Sequence, residues 1–258
     1  MSYTPKTVMI TGATSDFGAA FADRFAALGA NLVLGARNEE KLETIITDLK
    51  SKHPDITITP MICDMSSSDD ICAAFADLES NAQNIDLLIN NAGGALGLEP
   101  SHKADIGDWE TMIDANNKGL VVMSRLVLGG MTRRKKGHII NIGSVAGNYA
   151  YPGGNVYCAV KAFTKQFSLA LRADLSGTNV RVTNIEPGLV KTSFSEKRFK
   201  GDKEKADAVY ANTTNITADD IAEGVVWAAC LPERMNINRM EIMPTTQSFG
   251  PLTVERFA

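Results

Sequence analysis

Tyr157 and Lys161 set a phenol and an ammonium four residues apart, on one face of a helix. Of the five tyrosines, only Tyr157 has a lysine at that offset. A free phenol ionises near pH 10, so a phenol that works as a base near neutrality needs about 4 kcal/mol of preferential stabilisation of its anion. A nearby ammonium in a dry site supplies part of this. Ser144 closes the apolar run Ile139–Gly143, thirteen residues before Tyr157. Its hydroxyl is placed to donate a hydrogen bond to an oxygen on which charge develops. No histidine adjoins Ser144, Tyr157 or Lys161 (His138 stands at the opposite end of the Ser144 run, and His53 and His102 are farther off), so no Ser-His-Asp arrangement competes with it.

A second set of residues has the chemistry of a phosphate cradle. The first apolar run ends in Thr11-Gly12-Ala13-Thr14-Ser15-Asp16-Phe17-Gly18, which opens a helical segment. Such a turn brings backbone N–H groups and a positive helix end to a pyrophosphate. Gly12, Thr14, Ser15, Asp16, Phe17 and Gly18 are therefore candidate cofactor-binding residues. Asp16 stands where a glycine is usual. It is expected to cap the helix, with its carboxylate turned away from phosphate. After the second run come Ala36, Arg37 and Asn38. No carboxylate offers itself there to a ribose hydroxyl, whereas the Arg37 guanidinium suits a 2′-phosphate, so NADP is preferred over NAD. Asp64 and Met65 follow the third run, and Asn90-Asn91-Ala92-Gly93 the fourth; Asp64, Met65, Asn91, Ala92 and Gly93 join the cofactor candidates.

These groups need a scaffold that gathers strand ends. Continuous apolar runs predict strands at Thr7–Thr11, Asn31–Gly35, Ile56–Ile62, Ile85–Asn90, His138–Gly143, Val180–Ile185 and Arg239–Met243. Helical patterns span Phe17–Leu28, Glu39–Ser51, Ser68–Asn81, Ile106–Arg134, Val156–Leu175 and Ala218–Cys230, and Ser67/Asp70 and Thr217/Asp220 have capping-box spacing. This alternation predicts a single α/β domain, a doubly wound, Rossmann-type sheet of about seven parallel strands with helices on both faces. Residues 191–215, long and charged, are expected to form a substrate lid, and 244–258 a C-terminal tail packed on its own or a neighbouring subunit.

Composition narrows the partners. The chain has 258 residues, 26 Lys+Arg against 30 Asp+Glu and a net charge of -4, which disfavours nucleic acid. The basic run Arg133–Lys136 fits the last turn of a helix. Four cysteines without a C-x-x-C pair and three scattered histidines predict neither a metal site nor a disulfide framework. No apolar stretch is long enough for a membrane span and no secretory segment is evident, so a cytoplasmic location is expected.

Taken together, Thr11-Gly12 to Gly18, Asp64, Asn90–Gly93, Asn116, Ser144, Tyr157/Lys161 and Pro187–Thr192 resemble the short-chain dehydrogenase/reductase family over nearly the whole chain. The resemblance implies a catalytic tetrad of Asn116, Ser144, Tyr157 and Lys161. Tyr157 would exchange the substrate hydroxyl proton. Lys161 would hold the nicotinamide ribose and lower the Tyr157 pKa, and Asn116 would position a water. Pro187, Gly188, Val190 and Thr192 would border the nicotinamide. MIDANNKG (Met112–Gly119), IEPGLV (Ile185–Val190), Arg198–Asp202, Asn236–Asn238 and MPTTQS (Met243–Ser248) are similar to the NADP-dependent 3-hydroxy acid dehydrogenases. That likeness implies a small 3-hydroxy or 3-oxo acid as substrate, such as serine, allo-threonine or 3-hydroxypropionate. Arg198, together with Ser144, is the candidate substrate-binding group, because a guanidinium pairs well with a carboxylate. It also implies a homotetramer built on Ile106–Arg134 and Val156–Leu175. The alternatives are a carbonyl reductase for neutral ketones or alcohols, and a non-catalytic dinucleotide-binding regulator.

Overall fold

The computed structural model describes residues 3–249. Strands β1 (Thr7–Thr11), β2 (Asn31–Ala36), β3 (Ile58–Ile62), β4 (Leu87–Asn90), β5 (Gly137–Ile142), β6 (Val180–Pro187) and β7 (Arg239–Ile242) form one parallel sheet in the order β3-β2-β1-β4-β5-β6-β7. The order reverses between β1 and β4, the point at which such sheets open a crevice at their carboxyl ends.

Alternating side chains of each strand feed two cores. Val8 and Ile10 of β1 pack on one face with Phe21 and Phe25 of α1 (Asp16–Ala27) and Ile221 and Val225 of α9 (Ala218–Ala229). Met9 points the other way, toward Met123, Val127 and Met131 of α5 (Gly119–Arg134). With both faces covered, β4, β5 and β6 are buried along their whole length, including polar residues such as Asn141, Arg181 and Glu186.

The helices follow the expected spans with three differences. α2 (Glu39–Lys52) is as predicted, but α3 (Ser68–Ala76) stops five residues short of Asn81, capped at Asp77. The predicted Ile106–Arg134 helix is α4 (Ile106–Ile113), a π-helical turn (Asp114–Lys118) and then α5. Residues 191–215 carry two short helices, α7 (Phe194–Arg198) and α8 (Lys203–Ala208), each too brief for its periodicity to show in the sequence. Thr217 and Asp220 form a reciprocal capping box, whereas Ser67 caps Asp70 in one direction only, because the Asp70 carboxylate accepts from the Asp64 N–H. Of the tail, Leu252, Val254 and Phe257 lie outside the described residues. Its first part packs on its own chain, Phe249 against Tyr149 and Gln247 against Leu189.

Candidate active site

The turn after β1 is built by side chains locked to backbone. Ser15, not Asp16, caps α1: its Oγ accepts from the Gly18 N–H at 3.1 Å and donates to the Gly12 carbonyl. Serine reaches the third N–H beyond it, and Asp16 becomes the first helical residue. The Asp16 carboxylate does turn away from the turn, but toward the start of residues 191–215, where Oδ2 accepts from the Ser193 N–H at 2.7 Å and from its Oγ at 2.6 Å. Gly12 has φ +64°, and a Cβ on Gly18 would run into the Gly12 carbonyl, so both positions require glycine. The Asn91 amide donates to Thr11 O, Gly12 O and Ser15 Oγ, fastening the β4 end to the turn. Thr11 Oγ1 accepts from the N–H groups of Asn91 and Ala92.

Around the end of β2 the candidates separate. The Arg37 side chain is 74% exposed and meets Asp64 only at 3.8 Å. Hydrogen bonds from the Ser66 N–H and Oγ hold the Asp64 carboxyl below its usual range. The Asn38 side chain is occupied in capping α2 through the Lys41 N–H, and Met65 is buried in the core beneath Gly119.

One cavity of about 440 Å³ opens at the carboxyl ends of β1, β4, β5 and β6. Ser15, Asp16, Phe17, Asn91, Gly93, Ser144, Tyr157, Lys161, Pro187, Gly188, Val190, Thr192 and Arg198 all border it. Tyr157 and Lys161 share the inner face of α6 (Asn155–Asp174), at 8% exposure each. Lys161 Nζ donates to the Ile142 carbonyl at 3.0 Å and lies 5.8 Å from the Tyr157 ring centre. Burial pushes its pKa down to about 8. Ser144, extended at the end of β5, accepts from the Ala146 N–H and donates to Pro187 O. Asn116 lies one layer back in the π turn, its amide donating to Gly94 O and Met112 O. Its buried Oδ1 has no partner among the described residues.

Burial and the Tyr151 hydroxyl raise the Tyr157 pKa above that of a free phenol, against the pull of Ser144 and the Arg198 guanidinium. Arg198 thus stands with Lys161 as a second cation beside the Tyr157 ring. Arg198 ends α7, with its guanidinium carbon 5.6 Å from the Tyr157 ring centre and 5.4 Å from that of Tyr151. Nε donates to Gly97 O at 3.0 Å and Nη1 to Tyr151 Oη at 2.8 Å, while the buried Nη2 has no partner among the described residues. Phe194 packs its ring 5.7 Å from Tyr157. Tyr151, Phe194 and Gln247 also line the cavity and escaped sequence reasoning. Gln247 lies in the quoted MPTTQS stretch, and that was its only signal.

These residues fit a dinucleotide. Asp16 and Phe17 bring first-turn N–H groups, which have no partner within the helix, to the cavity edge, and two glycines leave room for close approach. Among the described residues no cluster of His, Cys, Asp and Glu could hold a metal ion.

A parallel sheet with this turn at its switch point and a Ser–Tyr–Lys cluster at the neighbouring strand ends defines a dinucleotide-linked oxidoreductase. Residues 6–203 match the short chain dehydrogenase family, and the chain belongs to it. It is 53% identical over 250 residues to the NADP-dependent 3-hydroxy acid dehydrogenase YdfG of Salmonella typhi, covering 96% of this chain and 99% of that protein. It is 42% identical over 250 residues to sulfoacetaldehyde reductase 2 of Chromohalobacter salexigens, covering 96% and 98%. Among solved structures, the closed form of serine dehydrogenase complexed with NADP+ is 50% identical, superposes with a TM-score of 0.92, and is matched over 97% of this chain and 100% of that one.

Proposed function

We propose that the protein is an NADP-dependent dehydrogenase that oxidises the secondary or primary alcohol of a small 3-hydroxy acid, or reduces the matching 3-oxo acid. The observation that carries this reading is Arg198: it lines the same cavity as Tyr157, and one buried nitrogen of its guanidinium has no partner among the described residues. An unpaired buried donor on a cation calls for an anionic acceptor, and a substrate carboxylate supplies one. The names of the relatives agree, since hydroxy acids and sulfoacetaldehyde all pair an anionic group with an alcohol or carbonyl.

In this reading, Ser144 Oγ donates a hydrogen bond to the reacting oxygen; the Tyr157 hydroxyl gives that oxygen its proton in reduction and, as the phenolate, takes it back in oxidation. Bound NADP supplies the hydride acceptor. Lys161 holds the nicotinamide ribose, Asn116 keeps the proton path in register, and Gly188, Val190 and Thr192 border the nicotinamide. Arg37, the exposed cation at the end of β2, takes the 2′-phosphate.

Exposed Ile106 and Ile113 on α4 and Phe163 on α6 support a homotetramer packed through these helices. The four cysteines are free, which suits a cytoplasmic location, and no described helix is long and apolar enough to cross a membrane.

The test is the absorbance of reduced nicotinamide during turnover of serine, both threonine diastereomers, 3-hydroxypropionate and neutral alcohols, with NADP and with NAD. We expect the hydroxy acids and NADP to give the highest kcat/KM. Equal activity on neutral alcohols would favour a general carbonyl reductase, an NAD preference would reject the role of Arg37, and no hydride transfer at all would point to a regulator.

A further inference from the structure

We propose that Asp16 is a positioning residue for substrate: from the phosphate turn it fixes the lid helix that carries Arg198. The proposal rests on the reading of Arg198 as the carboxylate-binding group.

Helix α7 is five residues long, too short to hold its own shape in water. Its place is fixed by what grips its two ends. At the leading end, Ser193 gives Asp16 both its N–H and its hydroxyl, across 177 residues of chain. The Ser193 side chain makes no capping bond to the helix, so its N–H and hydroxyl are committed to Asp16 while its carbonyl accepts from the Lys197 N–H. At the trailing end, the Arg198 carbonyl accepts from the Gly97 N–H, and Arg198 Nε donates back to Gly97 O. Between these grips, Phe194 rests on Tyr157 and Arg198 Nη1 holds Tyr151 Oη. Releasing the first grip frees α7 to pivot about Gly97 and shifts the guanidinium relative to the reacting alcohol. A displacement of that kind weakens substrate binding without touching the proton-transfer groups.

The same carboxylate lies at the cavity edge beside the turn expected to receive pyrophosphate. Removing its charge therefore favours cofactor binding or leaves it unchanged. A positioning role and a cofactor role thus predict opposite signs, which makes the proposal separable from simple damage to the turn.

The experiment compares Asp16→Ala, Asp16→Asn and Arg198→Ala with the parent enzyme. It reads KM and kcat for 3-hydroxypropionate together with the NADPH dissociation constant from nucleotide fluorescence. We expect Asp16→Ala to raise KM about tenfold or more, with kcat changed less and NADPH bound as tightly or more tightly. Asp16→Asn keeps an oxygen that accepts from Ser193 and should recover most of the loss. Three outcomes would overturn the proposal. KM could stay unchanged in Asp16→Ala while it rises in Arg198→Ala, which leaves the substrate reading intact. NADPH affinity could fall in step with KM, which would assign Asp16 to the cofactor. Neither variant could move KM, in which case the reading of Arg198 fails as well.

Discussion

Lys161 is a cation held at 8% exposure with one backbone carbonyl as its hydrogen-bond partner. Its pKa falls from 10.5 to about 8, which corresponds to about 3 kcal/mol of unfavourable burial when it is charged at neutral pH. Lys161→Met should therefore stabilise the cofactor-free protein, by about 1–3 kcal/mol after the lost bond to Ile142 O. Turnover should disappear in the same variant. Thermal unfolding and a hydroxy acid assay check both; a lower melting temperature would mean that the ammonium is well solvated in the site. Sequence spacing showed Ser144, Tyr157 and Lys161 because each sits at a strand end or on one helix face, where local periodicity carries the information. Asp16 was legible only as an anomaly. Its partner is Ser193, 177 residues away, and no local pattern encodes a contact at that distance. The expected cap went to Ser15 instead, since its hydroxyl meets the Gly18 N–H.

At the scale of elements, the site depends on two backbone irregularities that meet. The π turn Asp114–Lys118 carries Asn116, and Gly93, with φ +147°, passes directly over it. A Cβ on Gly93 would collide with the Asn116 side chain, whose amide is already tied to Gly94 O and Met112 O. Gly93→Ala should thus lower kcat at least about tenfold while costing about 1 kcal/mol or somewhat more of stability. Steady-state kinetics and urea unfolding measure the two effects, and a variant with parental kcat would show that Asn116 has no part in turnover. The apolar runs announced the strands because sheets covered on both faces need apolar residues at consecutive positions. They did not announce the π turn. One extra residue shifts the helical phase by about 100°, and helices on both sides of it keep a plausible apolar stripe. The helices of residues 191–215 were hidden for another reason: α7 and α8 are shorter than two turns, which is too brief for periodicity to register.

The whole molecule also has a pH limit set far from its active cavity. His138, on the interior strand β5, is wholly buried, with Nε2 against Thr183 Oγ1 and Nδ1 without a partner among the described residues. Burial, reinforced by Arg181, holds its pKa well below 6.5. The folded chain keeps this ring neutral, whereas the unfolded chain protonates it below about pH 6.5. The unfolded state then binds the extra proton, and stability falls by about 1.4 kcal/mol for each pH unit below that value until the folded pKa is reached. Above pH 6.5 the effect vanishes. His138→Gln should flatten the loss between pH 6.5 and 5 in melting experiments; an identical slope in parent and variant would assign the acid limit to other groups. The sheet order was inferable because crossover helices allow few topologies, but which loops meet above the strand ends was not. The reciprocal bonds between Gly97 and Arg198 illustrate the difference, and they have a practical corollary. Lys191, Lys197, Arg198, Lys200, Lys203 and Lys205 make this segment dense in trypsin cleavage sites. A protease needs several residues of extended, unpaired chain, so these peptide bonds are protected only while the segment stays docked on Gly97. The rate of tryptic nicking therefore reports how often the substrate chamber opens, in a protein that is turning nothing over.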